Sequence, residues 1–153
     1  MKLASIISSL ESVLTKLGQF LQAPLLLIIR LYWGWSFAQT GWGKLTNLER
    51  TTNFFASLNL PAPKLNAIAA GSAELVGGVL LALGLFARLA SAPLIVITLF
   101  AYIIADREAL FAITSDGDKF TGAAPFLFLY AVLIVFAFGP GKLSIDALVR
   151  KKP

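Results

Sequence analysis

Four apolar stretches leave this chain few folds to choose from. They cover residues 24–42, 67–87, 89–105 and 123–138, in a chain of 153 residues that is 58% hydrophobic. An α-helix needs about 20 apolar residues to cross the hydrocarbon core of a bilayer. The last two stretches are short and borrow interfacial residues at their ends. In lipid every backbone N–H and C=O must be bonded inside the protein, so only helices and closed barrels can span. Barrel strands alternate apolar and polar residues, and these runs do not. The sequence therefore predicts an all-α integral membrane four-helix bundle.

Residues 1–23 place Leu3, Ile6, Ile7, Leu10, Val13, Leu14, Leu17 and Leu21 at helical spacing, with Ser, Glu11 and Lys16 opposite. That pattern predicts an amphipathic helix on the membrane surface. It lacks the features of a cleaved signal peptide and is expected to be retained. The organisation expected is this interfacial helix (1–23), a membrane domain (24–146) and a basic tail (147–153). An even number of spans puts both termini on one side, with Lys2, Lys16, Arg88, Lys142, Arg150, Lys151 and Lys152. The positive-inside rule makes that side the cytoplasm, and the membrane the bacterial inner membrane. The net charge of +5 is spread over loops and ends, so it signals topology and anionic lipid and excludes a nucleic-acid groove.

The chain has no cysteine and no histidine. Thiol chemistry and thiolate-held clusters are excluded, and the usual metal ligand and neutral-pH proton shuttle are missing. No intrinsic cofactor or metal site is expected. Any redox chemistry must use a bound small molecule, such as a quinone, or a partner protein.

Between the first two spans, Thr46 and Glu49 fit a capping box opening a short interfacial helix to about Leu58. Pro61 and Pro63 end it. Asp116-Gly117-Asp118 marks a turn in the second outer connection, and Gly139-Pro140-Gly141 terminates the last span. Asp106, Arg107 and Glu108 read as a solvated helix end. No nucleotide loop, serine elbow or metal spacing is present.

Several segments resemble the DoxX family of small bacterial membrane proteins, from about Leu25 to Asp146. They are Gly41-Trp42-Gly43-Lys44-Leu45, Phe54-Phe55-Ala56-Ser57-Leu58 leading to Leu60-Pro61, and Glu74-Leu75-Val76-Gly77-Gly78 running on to Leu83-Gly84-Leu85 and Arg88-Leu89. Phe138-Gly139-Pro140-Gly141-Lys142-Leu143-Ser144-Ile145-Asp146 closes the match. The resemblance implies a four-helix membrane domain, often associated with oxidoreductase systems. Family members commonly carry a histidine near the end of the third span, where this chain reads Ala105-Asp106-Arg107-Glu108. No histidine-dependent reaction is carried over.

Two charges lie inside spans, Arg30 and Glu74, where an ionised group costs about 2.5–3.5 kcal/mol or more. Arg30 shares a helix face with Gly34, Ala38 and Gly41; Glu74 shares one with Ala70, Gly78 and Ala82. Small-residue stripes are where membrane helices approach each other, so both charges should face the interior. Counting depth at ~1.5 Å per residue separates them by about 10 Å, which allows direct pairing or a bridged arrangement. The same count places Tyr32, Tyr102 and Tyr130 within the spans. One buried polar cluster is expected: Arg30, Tyr32, Glu74, Tyr102 and Tyr130, with Gln39 at its edge. It either fixes helix register or holds a quinone or similar headgroup. Arg88 and Asp146 are expected to form a structural clasp between the hairpin turn and the final helix.

The function expected is a membrane subunit associated with an oxidoreductase system. The alternative is a non-redox scaffold or small-solute binding or transport protein. Whether the chain itself catalyses anything stays open at this level. Expected partners are the lipid bilayer, a soluble or membrane redox protein, and further copies of the chain as a homo-oligomer.

Overall fold

The computed structural model describes residues 2–150 and is helical throughout its regular elements. Residues 151–153 of the basic tail lie outside the described residues, as do the side chains of 2–5 and 150. In chain order the elements are α1 (Lys2–Thr46), α2 (Leu48–Ser57), α3 (Pro63–Leu83) and α4 (Ala87–Phe100), which continues as a π-helical turn over Ala101–Ala105. Then come α5 (Arg107–Phe111), a 3₁₀ turn (Ala112–Thr114), α6 (Gly117–Gly122), α7 (Ala124–Phe138) and α8 (Ile145–Arg150). Among the described residues three helices are long and apolar enough to cross a membrane: Ile6–Thr46, Pro63–Leu83 and Ala87–Ala105. The apolar α7 is shorter, at 15 residues. The predicted all-α membrane bundle is what the chain forms.

α1 is longer than its sequence suggests. The amphipathic stretch and the first span are one helix of 45 residues, about 67 Å long at ~1.5 Å per residue. Pro24 lies inside it without ending it. Proline removes one helical hydrogen bond, and no glycine–proline pair or capping residue near it offers the chain an alternative. Residues 6–22 are exposed throughout, so the helix leaves the packed core at Pro24.

The bundle is built on the antiparallel pair α1 and α3. A Cβ on Gly34 would lie 2.6 Å from the Ala82 nitrogen, and one on Gly78 would lie 2.5 Å from the Ala38 nitrogen. Gly41 meets the backbone of Leu75 and Gly71 equally closely. The small-residue stripes thus bring backbone onto backbone, the packing that drives association in lipid, where the hydrophobic effect contributes little. α4 and α7 complete the core with Leu94, Val132 and Val135 against Phe37 and Leu81.

The connections differ in detail from the sequence reading. Thr46 is still inside α1 and donates to the Trp42 carbonyl at 2.9 Å. Asn47 holds the cap position of α2 without a side-chain cap bond, so the capping box does not form. Pro63 opens α3, where its missing N–H costs nothing. Asp116 does cap α6, accepting from the Lys119 N–H at 3.0 Å. Glu108 pairs with Lys119 at 3.1 Å on the surface.

Candidate functional site: two charged sites at opposite ends of the α1–α3 pair

The glycine contacts fix the register of α1 against α3, and the register decides which charges meet. Gly41 faces Gly71 and Leu75, while Gly34 faces Gly78 and Ala82. Arg30, one turn further down, arrives opposite Gly84. Glu74 arrives opposite Gly41. The 11 residues of α1 between these levels amount to about 16 Å. Arg30 and Glu74 are both buried, at 0% and 5% exposure, but they neither pair nor share a cluster. The sequence-based depth count fell short because it measured each helix from its own boundary and not from their contact.

Glu74 takes its partner from the last turn of α1. Its Oε1 accepts from the Lys44 ammonium, while Oε2 is buried without a partner. Lys44 is 29% exposed at its side chain and turns inward, the reverse of a snorkelling lysine. The Thr51 hydroxyl donates to the Lys44 carbonyl at 3.2 Å, tying α2 to the same spot. Sequence reasoning counted Lys44 as a loop charge. The signal that could have found it is its place three residues after Gly41, on the face that meets α3.

Breaking one partner of such a pair leaves the other charged in a dry site, typically at about 3–5 kcal/mol, whereas replacing both is far cheaper. Because Lys44 is itself partly exposed, the lower end applies, and Lys44→Met is expected to lower thermal stability in detergent by about 6–12 °C. Lys44→Met combined with Glu74→Leu should recover most of that loss.

Arg30 anchors a second site, at the end where α3 turns into α4. Its Nη2 donates to the Leu143 carbonyl at 2.5 Å; Nε and Nη1 are buried without partners. Gly84 leaves the space that the guanidinium fills, since a Cβ there would collide with Arg30 Nη1. Gly84 also ends α3 in a Schellman arrangement: its N–H reaches Leu81 O and the Leu85 N–H reaches Leu80 O, both at 3.0 Å. Phe86 follows with φ of 48°, a left-handed conformation unusual for a bulky residue. Asp146 holds it there, accepting from the N–H groups of Phe86 at 2.9 Å and Ala87 at 3.1 Å. The Asp146 N–H returns a bond to Gly84 O at 3.0 Å. Asp146 thereby caps α4 from a distant segment, where no local side chain does.

Arg88 does the converse. Its Nε and Nη2 donate to Phe136 O and Ala137 O at 3.1 and 3.2 Å, satisfying the last carbonyls of α7 with a cation that suits that end of the helix dipole. The expected clasp between hairpin turn and final segment exists, but Arg88 and Asp146 do not bind each other. Each bonds to backbone on the other side, because the unsatisfied helix ends are the groups within reach. Ser144 caps α8 by accepting from the Ala147 N–H at 3.2 Å.

The tyrosines separate. Tyr102 is buried, stacks on Phe120 with centroids 5.5 Å apart and donates its hydroxyl to Phe120 O. It fastens the outer connection to α4. Tyr32 and Tyr130 are 64% and 58% exposed, and Gln39 is exposed as well. Tyr32 packs edge-on to Trp33 and Tyr130 stacks on Phe126. The single cluster expected from depth alone does not form: equal depth says nothing about which way a side chain points around its helix. No group of His, Cys, Asp or Glu suited to a metal ion occurs among the described residues.

Comparison with known proteins agrees with this architecture. An uncharacterized protein of Haemophilus influenzae is 27% identical over 134 residues, covering 82% of this chain and 83% of that one. No solved structure matches. The DoxX family model matches residues 25–107, a stretch that contains the glycine-packed α1–α3 pair, the Lys44–Glu74 pair and the turn that seats Arg30. The chain belongs to the DoxX family.

Proposed function

We propose that this protein is a membrane subunit of an oxidoreductase system whose redox centre resides in a partner protein. The observation that carries the reading is Gln39. Its amide lies on the outward face of α1, within a span, beside the exposed aromatics Tyr32, Trp35 and Trp42. An amide facing hydrocarbon without a partner costs about 2–7 kcal/mol, and polar side chains on lipid-facing surfaces bond across to neighbouring helices. A second membrane protein seated on this face satisfies Gln39. The absence of Cys and His leaves electron transfer to that partner. A quinone headgroup can join at the same seam, its carbonyls accepting from Gln39 and Tyr32.

In this reading α7 is the fourth crossing. The termini lie in the cytoplasm, with Lys16, Arg88 and Lys142 at that end and Asp106, Glu108, Asp116 and Asp118 at the other. A green fluorescent protein fused to the C-terminus should fluoresce.

A photo-crosslinker at Trp35 in native membranes is expected to trap a flavin-, haem- or iron–sulfur-carrying protein. Gln39→Leu should reduce that capture by about tenfold, equivalent to ~1.4 kcal/mol, with thermal stability unchanged. Crosslinks to lipid alone would instead favour the scaffold reading, which the closely packed α1–α3 interior also suits.

A further inference from the structure

A cavity of about 630 Å³ opens at the Arg30 end of the bundle. Gln19 and Gln22 of α1 form one wall, Arg88 and Leu89 of α4 another, and Phe138 and Lys142 a third. Its lining mixes the polar and charged side chains of Gln19, Gln22, Arg88 and Lys142 with the apolar ones of Phe86, Leu89 and Phe138. The ion pairs among the described residues are Lys44–Glu74 and Lys119–Glu108, so neither Arg88 nor Lys142 is compensated by a paired carboxylate. Asp146 also lines the cavity, but the Phe86 and Ala87 N–H groups occupy both its oxygens. Behind Ser144, another lining residue, lies the Arg30 guanidinium with two unpartnered nitrogens. Arg88 and Lys142 in the lining, with Arg30 behind it, thus outnumber the cavity's one carboxylate, Asp146, and leave an excess of positive charge.

We propose that this cavity binds the phosphodiester headgroup of an anionic phospholipid. A singly charged phosphodiester matches the excess of positive charge, and its oxygens accept from Arg88, Lys142 and the glutamine amides. The acyl chains leave along Leu89 and Phe138. A choline headgroup would set a fourth cation against Arg88 and Lys142 and is disfavoured. Basic pockets at the ends of spans hold anionic lipid for the same reason, and the volume lies within the ~300–1,000 Å³ of typical ligand sites.

The full-length protein, purified in neutral detergent and offered phosphatidylglycerol and phosphatidylcholine in equal amounts, tests this by native mass spectrometry. Phosphatidylglycerol is expected to be retained about fivefold over phosphatidylcholine. Lys142 makes no hydrogen bond among the described residues, so Lys142→Gln should leave the fold intact and reduce the preference by about threefold. Gln22→Trp, made at an exposed position on the cavity wall, should fill the cavity and abolish the preference with helicity unchanged. Equal retention of the two lipids by the wild type, or undiminished preference in both variants, would overturn the proposal. In a third arm inorganic phosphate is added as competitor. Loss of the lipid preference at millimolar phosphate would assign the anion to a soluble source and overturn the lipid as its origin; unchanged preference supports the lipid.

Discussion

Valine in place of Gly34 is expected to separate α1 from α3 and leave little folded protein. Even the first carbon of the new side chain would meet the Ala82 nitrogen at 2.6 Å and the Gly78 oxygen at 2.7 Å. Both are backbone atoms in regular helix, so no rotamer change relieves the clash. Overpacking a core costs about 1–3 kcal/mol when side chains can yield; here the helices themselves must move apart. A loss of at least ~3 kcal/mol corresponds to about 6–12 °C in midpoint for a chain of this size. Size-exclusion chromatography after stepwise heating in detergent measures it. Gly43, with open space around it, is the control: Gly43→Ala should leave the midpoint unmoved. A Gly34→Val protein as stable as the wild type would show that the two backbones are not in contact.

The second large effect is expected at Asp146. Alanine there frees the N–H groups of Phe86 and Ala87 and removes the carboxylate nearest the buried Arg30. An unsatisfied buried donor costs about 1–3 kcal/mol, and an uncompensated buried charge about 3–5. Phe86 also loses the bonds that hold its left-handed backbone. Asp146→Ala should therefore lower the midpoint by about 10 °C. Asp146→Asn keeps one acceptor and should lose less. Coupling can be measured by adding Arg30→Met: removing the arginine should cost less in the Asp146→Ala background, by about 1–3 kcal/mol. Strictly additive losses would mean that the two residues act independently.

The sequence made some of this legible and hid the rest for identifiable reasons. The helices were readable because apolar length and the lipid's demand for internal bonding leave no alternative. That Arg30 and Glu74 face inward was readable from the glycines and alanines on their faces. Their separation was not, because register follows from where the two backbones touch, a pairwise property that neither helix encodes alone. Lys44 was hidden by its position at a helix end, where lysine ordinarily turns to water. Gln39 and Tyr130 shared a depth with Glu74, and Tyr32 with Arg30, but none shared a direction. Asp146 was singled out correctly and given the wrong partner, since sequence shows charges and not the unsatisfied N–H groups at the start of α4. The continuity of α1 through Pro24 was missed because a proline marks a weak point in a helix without obliging it to end.

Arg30 and the carbonyl that receives it are separated by 113 positions in the chain. At about 5–20 residues per second of synthesis, Leu143 follows Arg30 by roughly 6 to 20 s. For that interval the first span carries an ionised arginine with no acceptor yet made, and it must keep the charge near the membrane surface. The seat behind Gly84 and Ser144 can close only after α7 and the segment that follows it have been made. Biogenesis of this bundle is therefore timed from its far end: the earliest charge to enter the membrane is among the last groups to be settled.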